Sequence, residues 1–174
     1  LYLRMVRAFF RDLAGTHRLL LDPAARLAMP RLDRKRVGPI LTREEIDRVL
    51  ASPDVGTPLG IRDRAILEFL YSTGLRVSEA WRMKAADVDL EGGSALVRAG
   101  KGAKDRVAPL GKAAVEWLGR YLAEVRPGLE ANRPGVEEIF LTHHGRAFGN
   151  QMLAMHLKKL GRKAGVATRL TCHV

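Results

Sequence analysis

The sequence predicts an α+β fold that is mainly helical and contains a small antiparallel sheet. Apolar residues recur at the three- and four-residue spacing of amphipathic helices in several segments. Two short β-type runs stand on either side of a glycine-rich turn. Only 6% of the 174 residues are aromatic while 47% are hydrophobic, which is typical of an aliphatic, helix-biased core. These patterns favour helices packed around one hairpin.

The first predicted element is an amphipathic helix from Leu1 to about Leu21. Its polar side carries four arginines, Arg4, Arg7, Arg11 and Arg18. Segment 21–40 follows with three prolines and is predicted to be an extended linker. The linker contains three consecutive cations, Arg34, Lys35 and Arg36. Both segments can therefore face phosphates.

Two helices and a short third one are predicted in the next stretch. Thr42 precedes Glu44 and Glu45, a pattern typical of an N-cap followed by acids in the first turn. The second helix covers about 61–72, with the apolar side chains of this segment on one face. Gly74 then supplies a C-cap or a sharp turn. A short helix from near residue 75 would place Arg76 and Glu79 on the same side, because residues three apart are helical neighbours.

A β-hairpin is predicted after residue 94. Its strands are 95–99 and 106–110, joined by a turn built on Gly100 and Gly102. Lys101 and Lys104 lie at its tip. Glycines at such a tip let the backbone approach a surface while the lysines project.

The rest of the chain returns to helical periodicity. The segment "GKAAVEWLGRYLAEV" predicts one helix, "IFLT" predicts a short strand, and a basic-sided helix ends at Gly165. Lys158 and Lys159 lie on this last helix and are candidate contacts for a polyanionic partner.

The charge is unevenly distributed. The 30 Lys and Arg residues against 19 Asp and Glu give a net charge of +11. Residues 1–40 hold nine basic and three acidic side chains, and residues 142–174 hold six basic and none acidic. The excess at both ends favours a polyanionic partner, such as nucleic acid, over an inert basic surface.

Several other classes of protein are disfavoured. No run of about 18 apolar residues predicts a membrane helix. The single Cys172 excludes an internal disulfide and is compatible with the cytoplasm. "GKGAK" lacks the glycine spacing of a Walker loop, and the adjacent His143 and His144 have no further ligand at metal-site spacing. We therefore expect no metal and no nucleotide cofactor.

Three further residues invite a functional interpretation: Arg76 after "TGL", Lys101 in the hairpin and His173 in "TCHV". Alone, each has an ordinary structural explanation, such as an Arg76–Glu79 salt bridge. In this order, with "LTREEIDRVL", "TGLRVSE" and "GKGAKDRVAPL" around them, the sequence resembles the catalytic domain of the tyrosine recombinases, the phage integrase family. Xer-like and integron-like members are the nearest in style, and the resemblance runs over essentially the whole chain.

The resemblance implies a role for each matched residue. Arg76 would bind the scissile phosphate of double-stranded DNA, and Glu79 would orient it. Lys101 would be the general acid for the leaving 5′ oxygen, with Lys104 as the competing assignment. His173 would contact the same phosphate. The family joins DNA through a 3′-phosphotyrosine that conserves the bond energy, so neither ATP nor a metal is implied.

The sequence also departs from the family pattern. Two residues of the family's active site have no matching position in this sequence: the second arginine of the His-x-x-Arg box and the nucleophilic tyrosine. Tyr2, Tyr71 and Tyr121 all lie outside the place of the nucleophile in the motif order. The chain does not begin with Met. We therefore expect a fragment, with the last helix of a core-binding domain and the start of a linker in 1–30, a basic linker in 31–40 and a partial catalytic domain in 41–174.

The expected function is site-specific DNA recombination by the full-length parent, with this chain inactive as written. Family members act as a tetramer on two DNA duplexes, and no membrane partner is expected. Two alternatives stay open at this point: a non-catalytic DNA-binding module and a type IB topoisomerase-like enzyme. A tyrosine encoded downstream would favour an enzyme over a binding module, and relaxation of supercoiled DNA without a specific site would favour the topoisomerase.

Overall fold

The computed structural model describes residues 2–28, 40–98 and 105–166. The chain divides into two compact units, 1–38 and 39–174. In the described ranges, no helix is both long enough and apolar enough to cross a membrane.

In the first unit, helix α1 spans Tyr2–Gly15. The expectation that this helix reaches about residue 21 is wrong. After Gly15 the chain turns, with His17 in the left-handed region at φ 57° and the Thr16 hydroxyl donating to the Asp12 carbonyl oxygen at 2.9 Å. A side-chain hydrogen bond of this kind offers the backbone an alternative to continuing the helix. Within this unit several large apolar residues of α1 are exposed: Tyr2, Leu3, Met5, Val6 and Phe9.

The second unit begins with two capped helices, α2 at Arg43–Ala51 and α3 at Pro58–Thr73. The predicted N-cap at Thr42 is confirmed as a full capping box, since its hydroxyl accepts from the Glu45 amide at 3.2 Å and the Glu45 carboxylate accepts from the Thr42 amide at 2.9 Å. Helix α3 starts three residues earlier than predicted, because Thr57 caps it and Pro58 occupies its first turn.

A three-stranded antiparallel sheet follows a four-residue helix, α4, at Val77–Ala80. Its strands are β1 at Val88–Asp89, β2 at Ser94–Val97 and β3 at Arg106–Pro109, in the order β1-β2-β3. The predicted hairpin pairing is confirmed, with Val97 opposite Arg106. Strand β1 was not predicted, because two residues carry too little alternation to detect.

The single helix predicted after the hairpin is divided into three elements in the structure. They are α5 at Lys112–Arg120, a π-helical turn at Tyr121–Val125 and α6 at Arg126–Glu130. The change of helix type occurs just before Pro127, which has no amide hydrogen to continue an α-helical ladder. These elements bury four residues in the core: Ala114, Leu118, Tyr121 and Val125.

The predicted strand "IFLT" is wrong. Residues 139–142 are buried, but the segment makes only an isolated bridge, Leu141 with Ala147, and Glu138 just before it makes another with Lys84. The Tyr121 hydroxyl replaces a strand partner here: it donates to the Ile139 carbonyl oxygen and accepts from the Leu141 amide, both at 3.0 Å. A buried backbone must find such partners, and a side chain can supply them.

The last described helix, α7, spans Asn150–Lys163 and buries Leu153, Leu157 and Leu160. It also closes a buried polar cluster on α3, where the Asp63 carboxylate lies 2.8 Å from the His156 ring nitrogen and accepts from the Arg62 guanidinium at 2.7 Å. Burial raises the pKa of Asp63, but the hydrogen bond from His156 and the charge of Arg62 outweigh it and leave the pKa lowered.

Candidate functional site

The turn between α3 and α4 positions Arg76. Gly74 ends α3 in the left-handed conformation, at φ 60°, as the sequence predicted. Leu75 then enters the core and is 2% exposed. Arg76 follows in extended conformation as the N-cap residue of α4, and 43% of its side chain is exposed. The turn thus buries one residue and presents the next to solvent.

Glu79 holds Arg76 from one turn further along α4. Its Oε2 accepts from the Arg76 backbone amide at 3.0 Å, and its Oε1 accepts from Arg76 Nη1 at 3.3 Å. Only 9% of the Glu79 side chain is exposed. The structure therefore brings together the two residues that the sequence placed on one side of a short helix.

Arg106 completes this cluster, and the sequence analysis missed it. Its Nη1 donates to Glu79 Oε1 at 3.0 Å and its Nη2 donates to Glu79 Oε2 at 2.8 Å, the paired geometry of a guanidinium on a carboxylate. The hydrogen bonds from Arg106, followed by the Arg76 amide and the two arginine charges, lower the pKa of Glu79 to about 2 against the effect of burial. The one sequence signal for this contact was a charged residue at the start of a strand, and the partner of Arg106 lies 27 positions away.

The contribution of Glu79 to stability is expected to depend on pH. Its pKa in the folded protein, about 2, lies below its ordinary value of 4.5, so this stabilisation is complete above pH 4.5 and is lost as the pH falls toward 2. Urea denaturation of the wild type and of Glu79→Gln checks this. The difference between their free energies of unfolding should shrink below pH 4.5, and a difference that stays constant would contradict the expectation.

A groove of about 540 Å³ lies beside Arg76 and Glu79. Three further cations line it: Arg82, Lys84 and Arg98. The Arg82 guanidinium lies 4.9 Å from the centre of the Trp81 ring, while Lys84 pairs with Glu137 at 2.6 Å and Arg98 pairs with Asp87 at 2.8 Å. Met83, Leu96 and Val97 form apolar parts of its wall. A groove with this charge suits an anion such as phosphate.

The other predicted DNA contacts are dispersed. Lys158 is half-buried and Lys159 exposed on α7. In the first unit, Arg4 and Arg11 are exposed and Arg7 is half-buried on α1. The remaining candidates lie outside the described residues: Arg34, Lys35, Arg36, Lys101, Lys104 and His173. Their assignments stay predictions.

The three tyrosines differ sharply in environment. Tyr121 is fully buried, and burial raises its pKa to about 12. Tyr2 and Tyr71 are exposed, and Tyr71 faces solvent from α3. Within the described ranges, no group of three or more His, Cys, Asp or Glu side chains could hold a metal.

Comparison with known proteins gives the family. The model of the phage integrase family matches residues 39–174. Tyrosine recombinase XerC 2 of Ralstonia nicotianae is 41% identical over 173 residues, which cover 97% of this chain and 49% of that protein. Tyrosine recombinase XerD of Listeria innocua is 36% identical over 172 residues, which cover 99% of this chain and 57% of that protein. The chain thus spans about half the length of these relatives.

Solved structures agree on the fold. The crystal structure of XerA recombinase superposes with a TM-score of 0.67 at 25% identity, covering 98% of this chain and 65% of that one. A lambda integrase dimer bound to a COC′ core site gives a TM-score of 0.66 at 17% identity, covering 98% and 60%. The family match, the identity to the Xer proteins and the shared helical fold with its small sheet lead to one conclusion: the chain belongs to the phage integrase family of tyrosine recombinases.

Proposed function

We propose that this chain carries the phosphate-binding part of the catalytic domain of a site-specific DNA recombinase. The parent protein would cleave and rejoin duplex DNA by transesterification, as a tetramer on two duplexes in the cytoplasm. The observation that carries the proposal is the half-exposed Arg76 guanidinium, buttressed by the buried Glu79 carboxylate at the edge of a cationic groove.

Arg76 would bind the scissile phosphate. In the described part of the chain its Nε and Nη2 make no hydrogen bond, so two donors of its planar fork can reach phosphate oxygens. The same donors would stabilise the charge that develops on those oxygens during the transfer. Lys101 would protonate the leaving 5′ oxygen and His173 would assist at the same phosphate, as the resemblance implies.

We assign the nucleophile to none of the three tyrosines. The Tyr121 oxygen is occupied by two backbone hydrogen bonds, and a raised pKa opposes its ionisation. We therefore expect no covalent adduct when the chain is incubated with a nicked suicide substrate and analysed on a denaturing gel. An adduct would overturn this assignment and direct attention to Tyr71, which is exposed.

Binding to duplex DNA tests the role of Arg76. The logarithm of the binding constant should fall linearly with the logarithm of the salt concentration, because each phosphate contact releases counterions. Arg76→Gln should weaken binding and reduce this slope by about 0.9, the value of one lost phosphate contact. Fluorescence anisotropy of a labelled duplex over a series of salt concentrations measures both quantities.

The matched control is Arg120→Gln, which removes an exposed arginine of α5 that pairs with Glu124 at 3.2 Å. It changes the net charge by the same amount and should leave the slope unaltered. If Arg76→Gln and Arg120→Gln have equal effects, the phosphate role of Arg76 is refuted.

A further inference from the structure

Arg106 joins the sheet to the helix that carries Arg76. It is the first residue of β3, opposite Val97 on β2, and 40% of its side chain is exposed. Both of its terminal nitrogens are bonded to the Glu79 carboxylate, at 3.0 and 2.8 Å. The planar guanidinium fixes the plane as well as the position of that carboxylate, which a single ammonium does not.

The Glu79 carboxylate is shared unequally between two arginines. It accepts two short hydrogen bonds from the Arg106 side chain but only one, at 3.3 Å, from the Arg76 side chain. Two guanidinium groups and one carboxylate leave one positive charge uncompensated in the cluster. Without Arg106, the carboxylate would be free to turn fully onto Arg76, pairing with the donors that face the groove and neutralising their charge.

We propose that Arg106 is a positioning residue for Arg76. It holds Glu79 from the side of the sheet, so that Arg76 is oriented by the carboxylate but keeps its charge and its outer donors for an anion. The identity of that anion as a DNA phosphate rests on the function proposed above, whereas the positioning itself does not. Arg106 acts through Glu79 and does not contact the phosphate.

A double-mutant comparison of DNA binding tests the proposal. Arg106→Gln should lower the salt slope by about 0.9, as Arg76→Gln does, and the double variant should lose no more than either single variant. A loss of about 1.8 in the double variant would mean that Arg106 contacts a phosphate itself, and would overturn the proposal. An unchanged salt slope in Arg106→Gln would mean that the Arg106–Glu79 ion pair has only a structural role, and would also overturn the proposal. Arg120→Gln again controls for the change in net charge.

A second measurement does not depend on DNA. The Arg76 Nε–Hε signal in a ¹⁵N NMR spectrum should shift in Arg106→Gln relative to the wild type, because Glu79 then pairs with the Arg76 donors that face the groove. An unchanged Arg76 signal would overturn the positioning role. If the wild type fails to bind duplex DNA while the Arg76 signal still shifts in Arg106→Gln, the proposed function fails and the positioning role stands.

Arg106→Lys guards against a failure to fold. Lysine keeps the charge but offers no paired planar donors, so the Arg76 signal should still shift in this variant. Circular dichroism confirms that each variant is folded before it is compared. A folded Arg106→Lys with a wild-type Arg76 signal and a wild-type salt slope would refute the proposal.

Discussion

Leu75→Ala is expected to lower the free energy of unfolding by about 3 kcal/mol, because it empties a fully enclosed site in the core. Leu75 is 2% exposed and packs in the main hydrophobic cluster with residues of α3 and α5. It is also the residue that anchors the turn between Gly74 and Arg76. Urea denaturation followed by circular dichroism measures the change, and the Arg76-dependent part of DNA binding should be lost along with the stability.

Leu59→Ala is the matched control. It removes the same atoms from α3 at a position that is 38% exposed, so its cost should stay below about 1 kcal/mol. Equal losses in the two variants would show that the turn at Leu75 is not packed as described.

Gly60→Ala is expected to destabilise the protein by about 3 kcal/mol, at the upper end of the usual cost of overpacking. A Cβ at this position would lie 1.7 Å from the Asp54 carbonyl oxygen and 2.9 Å from Thr57 Oγ1. The nearest atom belongs to the backbone, so relief requires the loop before α3 to move. That movement also disturbs the cap, because the Thr57 hydroxyl accepts from the Gly60 amide at 3.1 Å.

Gly128→Ala provides the comparison on another helix. No atom outside its own stretch of helix backbone lies within 4 Å of a Cβ added there, and alanine favours the helix by about 0.5–1 kcal/mol over glycine. Thermal melting should therefore give a lower midpoint for Gly60→Ala and an unchanged or higher one for Gly128→Ala. A melting point of Gly60→Ala equal to the wild type would contradict the close approach of Asp54.

The local features of the fold could be predicted because their causes lie within a few residues. Thr42 and Glu45 are three positions apart and cap each other, and Gly74 directly follows the helix that it ends. The pairing of β2 with β3 followed from two short runs and the turn residues between them. The Arg76–Glu79 contact could be predicted for the same reason, since both residues belong to one turn of helix.

The interactions that escaped prediction depend on tertiary packing. Arg106 reaches Glu79 across 27 residues of sequence and His156 reaches Asp63 across 93, so both contacts form only in the folded chain. Each of these side chains occupies an ordinary polar position within its own segment, so hydrophobic periodicity alone does not predict which residue it will contact. The backbone hydrogen bonds made by the Tyr121 hydroxyl are of the same kind, because a helix position predicts burial but not what the oxygen will bind.

The shared carboxylate constrains the order in which substitutions can accumulate at this site during evolution. Losing Arg106 first leaves Glu79 with one cation and a neutral cluster. Losing Glu79 first leaves two guanidinium groups side by side without an anion between them, although both were held by it at 3.3 Å or less. Arg106 should therefore be replaced during evolution more readily than Glu79. A descendant that keeps an arginine at position 106 should also keep an acidic residue at position 79.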